Sequence, residues 1–128
     1  MNIKNIDSIL AYNILVNNDN SLLVDVRTPE EWATIGIPKL VKNNLVFLTW
    51  RLLPDMSINK EFRTRFISLI QGKMCFVLFL CRSGVRSLEA LSFAMNIGYV
   101  NCYNIHDGFE GSGNNNGWKY NNLPWQII

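Results

Sequence analysis

The chain is poor in metal-binding and cross-linking residues. Its 128 residues include one histidine, His106, and three cysteines, Cys75, Cys81 and Cys102, with no Cys-x-x-Cys pair. That set supplies no metal-ligand cluster, and an odd, unpaired cysteine count argues against a disulfide framework and for a reducing compartment. No metal and no cofactor is expected. Charge imbalance is small as well: 12 Lys and Arg against 10 Asp and Glu leave a net charge of +2, too little to argue for a nucleic-acid or membrane-surface partner. No apolar run reaches the roughly 20 residues of a membrane span. The stretch Met1 to Asn20 is interrupted by Asn5, Asp7 and Asn13 and lacks the apolar core of a signal peptide. A cytoplasmic protein is the expectation. What remains is one domain over residues 1–128, with an ordinary 48% of hydrophobic residues and enough chain to bury a core.

The most informative stretch is Met74 to Gly98. An apolar run from Met74 to Leu80 ends at Cys81. A polar segment, Arg82-Ser83-Gly84-Val85-Arg86-Ser87, follows, and then Val85, Leu88, Leu91, Ala94, Met95 and Ile97 recur at helical spacing, with Gly98 where a C-cap belongs. This reads as a buried parallel strand, a tight loop and a helix N-terminus, with the thiol at the carboxyl end of the strand. A helix start leaves N–H groups without partners, and a loop wrapped ahead of it adds more, so the segment offers an anion-binding concavity. Arg82 and Arg86 add positive charge, and Gly84 permits the turn. The segment is therefore suited to a solvent-reachable Cys81 thiolate and to a small anionic substrate. A cysteine closing an apolar strand is more often packing; the two arginines and the glycine behind Cys81 are what reverse that reading. Cys75, inside the strand run, and Cys102, with no flanking cation, keep it.

Helical and strand patterns alternate along the rest of the chain. Asn5–Asn18 reads as a helix capped by Asp7, and Leu22–Val26 as a strand. Thr28, Pro29, Glu30 and Glu31 suit the cap and first turn of a further helix. Leu45–Trp50 reads as a strand and Arg51–Ile58 as a loop. Asn59–Gln71 reads as a helix with Phe62, Phe66, Leu69 and Ile70 inward, Lys60, Glu61, Arg63 and Arg65 solvated, and Gly72 at its close. Val100–Ile105 is a strand, and Asp107–Gly117 a loop rich in Gly and Asn. Phe109 either lines a strand-end cleft or, with Trp118, anchors the tail to the core. Asp25 and Arg27 form either a surface pair of little energetic weight or a polar cluster beside the Cys81 loop. The alternation predicts an α/β fold, a central, mainly parallel sheet with helices on both faces.

Three motifs carry a specific resemblance. Cys81-Arg82-Ser83-Gly84-Val85-Arg86-Ser87 resembles the active-site loop of the rhodanese family of sulfurtransferases. Leu22-Leu23-Val24-Asp25-Val26-Arg27-Thr28-Pro29-Glu30-Glu31-Trp32 resembles its early Asp-x-Arg strand-end motif. Asp107-Gly108-Phe109-Glu110-Gly111, with Trp118 and Leu123-Pro124, resembles its C-terminal signature. Gly36-Ile37-Pro38 falls where that family writes Gly-His-Ile-Pro-Gly-Ala, here without the His and the later Gly. The resemblance implies a three-layer rhodanese-like sandwich. It also implies sulfur transfer from an anionic donor such as thiosulfate, through a persulfide on Cys81, to cyanide or a thiol. Residues 82–87 would bind substrate, and Asp25 and Arg27 would support the loop. A persulfide relay fed by a partner protein and a non-catalytic interaction module are the alternatives. A cysteine phosphatase or arsenate reductase fits less well: those resemble Cys-x5-Arg, whereas four residues separate Cys81 from Arg86 and make a smaller cradle.

Overall fold

The computed structural model describes residues 3–128 and carries the alternation the sequence predicts. The strands are β1 (Lys4–Ile6), β2 (Ser21–Asp25), β3 (Ile37–Pro38), β4 (Leu45–Phe47), β5 (Arg51–Leu52), β6 (Ser57–Ile58), β7 (Phe76–Leu80), β8 (Cys102–Ile105) and β9 (Trp125–Gln126). The helices are α1 (Ser8–Asn17), α2 (Pro29–Ile35), α3 (Phe62–Leu69), α4 (Val85–Asn96) and α5 (Gly117–Tyr120). Five strands form one sheet in the order β1-β8-β7-β2-β4, every pair parallel. β7 is its middle strand, and Val77 to Leu80 are fully buried.

Side-chain alternation along β7 sorts the core into two layers. Val77, Phe79 and Cys81 point into one layer with Phe62 and Phe66 of α3 and Ala90, Leu91 and Ala94 of α4. Leu78 and Leu80 point into the other, with Ala11 and Leu15 of α1, Phe109, and Trp118 of α5. The fold is the α/β sandwich expected, helices on both faces of a parallel sheet. Cys81 continues the β7 alternation one residue beyond the strand, so its side chain starts on the α4 side. Phe109 and Trp118 are both fully buried. They anchor the tail, each burial stabilising by about 1.5–3 kcal/mol on an area basis.

Several boundaries differ from the sequence reading. Lys4–Ile6 is an edge strand rather than helix: Asp7 Oδ1 accepts the Leu10 N–H at 2.8 Å and starts α1 at Ser8. Ile9 and Leu10 are consequently about half exposed, and Ser8, Ala11 and Leu15 are the buried positions. The Arg51–Ile58 segment holds the antiparallel pair β5–β6 instead of a plain loop. α3 ends at Leu69, which faces solvent, with Ile70 rather than Gly72 at its C-cap. Val85 sits on the first turn of α4 and is exposed, unlike the helical positions that follow it. β3 and β9 pair antiparallel, Ile37 with Gln126 and Pro38 with Trp125, in a contact that no local pattern announces.

Candidate active site

β2 and β7 run in register with Asp25 opposite Leu80, so the two strand-end motifs come together at the carboxyl end of the sheet's central strands. The chain leaves β7 at Cys81 and reverses at Gly84, whose φ of +95° is left-handed. A Cβ there would collide with the His106 carbonyl, so the position takes only glycine without strain. The Gly84 N–H donates to Cys81 Sγ at 3.1 Å. The other side of the sulfur meets Ser87 Oγ at 3.2 Å.

The hydrogen-bond directions around Ser87 are fixed from outside. Asn104 Nδ2 donates to Asn5 Oδ1 at 3.0 Å and to the Gly84 carbonyl at 3.2 Å. Asn104 Oδ1 is therefore the acceptor for the Ser87 hydroxyl, at 2.6 Å. Cys81 Sγ lies within hydrogen-bond reach of the same hydroxyl. Cys81 is 1% exposed. This corrects the expected solvent access: the sulfur is buried beneath its loop and is met by one loop amide and one hydroxyl rather than by a ring of amides. The cause is the β7 alternation, which aims residue 81 at the α4 layer.

The arginines are committed as well. Arg86 donates to Glu31 through both Nη1 and Nη2, at 2.7 and 2.9 Å. The Glu31 bond raises the Arg86 pKa against the opposing effect of burial, with the field of Cys81 a smaller contribution in the same direction. Burial would raise the Glu31 carboxyl, but the Arg86 bond and charge and the Thr28 N–H and hydroxyl outweigh it and hold the pKa below its ordinary value. Arg82 is largely exposed and lies 3.4 Å from Glu110. Ser83 is half-buried and Val85 exposed.

Asp25 and Arg27 are no surface pair. Both are fully buried, with Arg27 Nη2 on Asp25 Oδ2 at 2.7 Å and on the Gly36 carbonyl at 2.9 Å. The guanidinium also lies 4.2 Å from the centre of the Phe109 ring. Phe109 N–H in turn donates to the Cys81 carbonyl at 2.9 Å, and Glu110 N–H to the Arg82 carbonyl at 3.0 Å. The C-terminal signature thus clasps the backbone of the Cys81 loop, and the buried pair supports the clasp from below. Gly108 (φ +65°) allows this approach, since a Cβ would strike the Arg82 backbone.

Gly84 and Ser87 converge on the Cys81 sulfur, and neither Arg82 nor Arg86 hydrogen-bonds to it. Asn104, Glu31 and Glu110 went unassigned to the site in the sequence. Glu31 is visible there as half of a capping box with Thr28, but nothing local marks Asn104. Burial pushes the Cys102 thiol up to about 12 and raises that of Cys75. Beside the loop opens a cleft of about 430 Å³ lined by Glu30, Glu31, Leu53, Met56, Arg82 and Glu110, among others. Among the described residues no helix is long and apolar enough to cross a membrane.

Residues 10–114 match the model of the rhodanese-like domain family. An uncharacterized protein of Rickettsia rickettsii is 54% identical over 129 residues, covering 99% of this chain and 100% of its own. A sulfurtransferase of Allochromatium vinosum is 30% identical over 123 residues, 95% of this chain and 94% of that one. The crystal structure of Rv0390 from M. tuberculosis superposes with a TM-score of 0.86 at 31% identity, covering 100% of both chains. The fold is also that of a polysulfide-sulfur transferase homodimer from Wolinella succinogenes (TM-score 0.76, 19% identity, 97% of this chain and 78% of that one).

Proposed function

Starting from a chain that belongs to the rhodanese-like domain family, we propose a sulfurtransferase that carries sulfane sulfur as a persulfide on Cys81. The observation that carries the reading is the Gly84 N–H aimed at Cys81 Sγ from the start of α4, at 3.1 Å. Of the three cysteines, Cys81 alone is read this way; Cys75 contacts backbone carbonyls and Cys102 is packed with its proton held.

The chemistry is covalent catalysis in two steps. The Cys81 sulfur attacks the outer sulfur of a sulfane donor. The donor's S–S bond breaks, its electron pair leaves with the carrier, and a new S–S bond forms on Cys81. A thiol or cyanide then attacks the outer sulfur and releases Cys81. The Gly84 N–H and the start of α4 stabilise negative charge on sulfur, and Arg86 contributes a permanent positive charge nearby. Because the resting thiol is covered, loading requires the loop at residues 82–86 to shift. The clasp from Phe109 and Glu110 and the Arg86–Glu31 pair set how far it moves.

The test is intact-mass measurement after incubation with sulfane donors. The wild type should gain the mass of one sulfur, and Cys81→Ser should lose at least about 10³-fold in sulfur transfer. Loading that persists in Cys81→Ser would assign the nucleophile elsewhere. Phosphate release from an aryl phosphate with no sulfur loading would replace this reading with the phosphatase one.

A further inference from the structure

A single side chain from β8 holds both groups that meet the Cys81 sulfur. Asn104 stands opposite Phe79 of β7 and is 2% exposed. The core layer on that side of the sheet is otherwise apolar, with Val77, Phe79, Ala90, Leu91, Ala94 and Cys102. A leucine would fill the place with no amide to desolvate, and a buried amide is costly unless its hydrogen bonds are made. Here they are made. Nδ2 donates to the Gly84 carbonyl at 3.2 Å and to Asn5 Oδ1 at 3.0 Å, and Oδ1 accepts from the Ser87 hydroxyl at 2.6 Å. Asn5 is the neighbour of Asn104 on the edge strand β1. The other two partners, Gly84 and Ser87, are the residues that meet the sulfur, at 3.1 and 3.2 Å. A contact needed only to tie β8 to α4 has no reason to fall on those two positions of the helix start.

Both groups need an outside hold to stay aimed. Gly84 has no Cβ and restrains its own dihedrals least, so the direction of its N–H depends on the bonds the residue makes. Asn104 Nδ2 bonds its carbonyl from outside α4. The Ser87 hydroxyl rotates to suit whichever partner is nearest, and Asn104 Oδ1 is the closer of its two neighbours. Resting on the reading of Cys81 as the sulfur acceptor, we propose that Asn104 is a positioning residue for sulfur transfer. It keeps the Gly84 N–H and the Ser87 oxygen set around the sulfur before charge builds there. Polar groups fixed ahead of a reaction lower its barrier because they need not reorganise during it. Asn104 acts through Gly84 and Ser87, one bond removed from the sulfur, so its effect falls on the rate of the transfer step and not on the binding of the donor.

The experiment follows single-sulfur loading by intact mass on the full chain, over a range of thiosulfate and of cysteine persulfide concentrations. Asn104→Leu keeps the bulk and removes the amide. It should lower the maximum loading rate about tenfold, while the donor concentration giving half that rate stays within about twofold of the wild type. The end point should remain one sulfur per chain, which separates a slowed step from a loss of folded protein. Asn104→Thr, suited to a strand, is made alongside in case the leucine variant does not fold. Its one hydroxyl cannot serve Gly84 and Ser87 together, and its rate should fall between the other two. In a Ser87→Ala background Asn104→Leu should cost only about threefold, because part of its effect passes through the missing hydroxyl. A maximum rate unchanged in both Asn104 variants, a loss confined to the half-saturating concentration or to the end point, or equal fold losses with and without Ser87 would overturn the positioning role and leave Cys81 as the acceptor. A wild type that loads from neither donor would overturn the sulfurtransferase reading, and the role of Asn104 with it.

Discussion

The ends of β2 and β7 lie side by side, and each leads through a short loop into a helix. They dispose of the helix's free donors in opposite ways. At α2, Thr28 Oγ1 accepts the Glu31 N–H at 3.3 Å, and Glu31 Oε1 accepts the Thr28 N–H at 3.2 Å. Pro29 has no N–H to satisfy. At α4 the cap is Gly84, which has no side chain, and its N–H goes to the sulfur of Cys81. A helix that caps itself has fewer donors left for a ligand. A helix that starts on a left-handed glycine leaves its first donor for whatever the preceding strand delivers, here a thiol. The arginines follow the same division. Arg27 is sealed on Asp25 as part of the framework, whereas Arg86 sits at the edge of the cleft on a partner it can release.

That contrast can be broken by substitution. Arg27→Met leaves the Asp25 carboxylate buried without its counter-ion and should cost about 3–5 kcal/mol. Arg86→Met, which frees a carboxylate that water reaches, should cost about 1 kcal/mol. Urea unfolding of the two variants measures both, and equal losses would erase the distinction between framework and edge. The caps give a smaller pair of effects. Gly84→Ala forces a Cβ into a left-handed position against the His106 carbonyl and should cost about 2 kcal/mol or more. Thr28→Ala should cost about 1 kcal/mol and leave sulfur loading at Cys81 unchanged. A Thr28 variant that lost loading would tie the two helix starts together more closely than the contrast allows.

The smallest expected effect is on acid stability. The Glu31 carboxyl is held below its ordinary value of 4.5 in the folded chain. A depressed carboxylate contributes stability that is fully present above pH 4.5 and is lost as pH falls through the lower folded value. Glu31→Gln should therefore lower the plateau above pH 4.5 by what the pair contributes and flatten this part of the unfolding profile, the two proteins converging in acid. An acid limb identical to that of the wild type would show that Arg86 draws no stability from Glu31. The same variant uncovers one face of Arg86, so its sulfur loading sharpens the comparison between the two strand ends.

The sequence by itself determined the repeating strand–loop–helix units, because they rest on short-range signals. The apolar run into Cys81, Asp7 and Thr28 as caps, Pro29 at a helix start and Gly84 at the turn each act within a few residues. The convergence of the Asp25–Arg27 and Cys81–Ser87 motifs was suggested only by the family resemblance, since β2 and β7 are neighbours in the sheet but not consecutive in the chain. Tertiary structure alone decided what those groups do to one another. The β7 alternation buried the Cys81 side chain, Asn104 from β8 took the Ser87 hydroxyl as a hydrogen-bond partner, and Glu31 and Glu110 took the two arginines. Partners brought together across 17 to 55 positions of chain leave no periodicity to read, because hydrogen bonds and ion pairs depend on distance in space and a linear pattern records only distance along the chain.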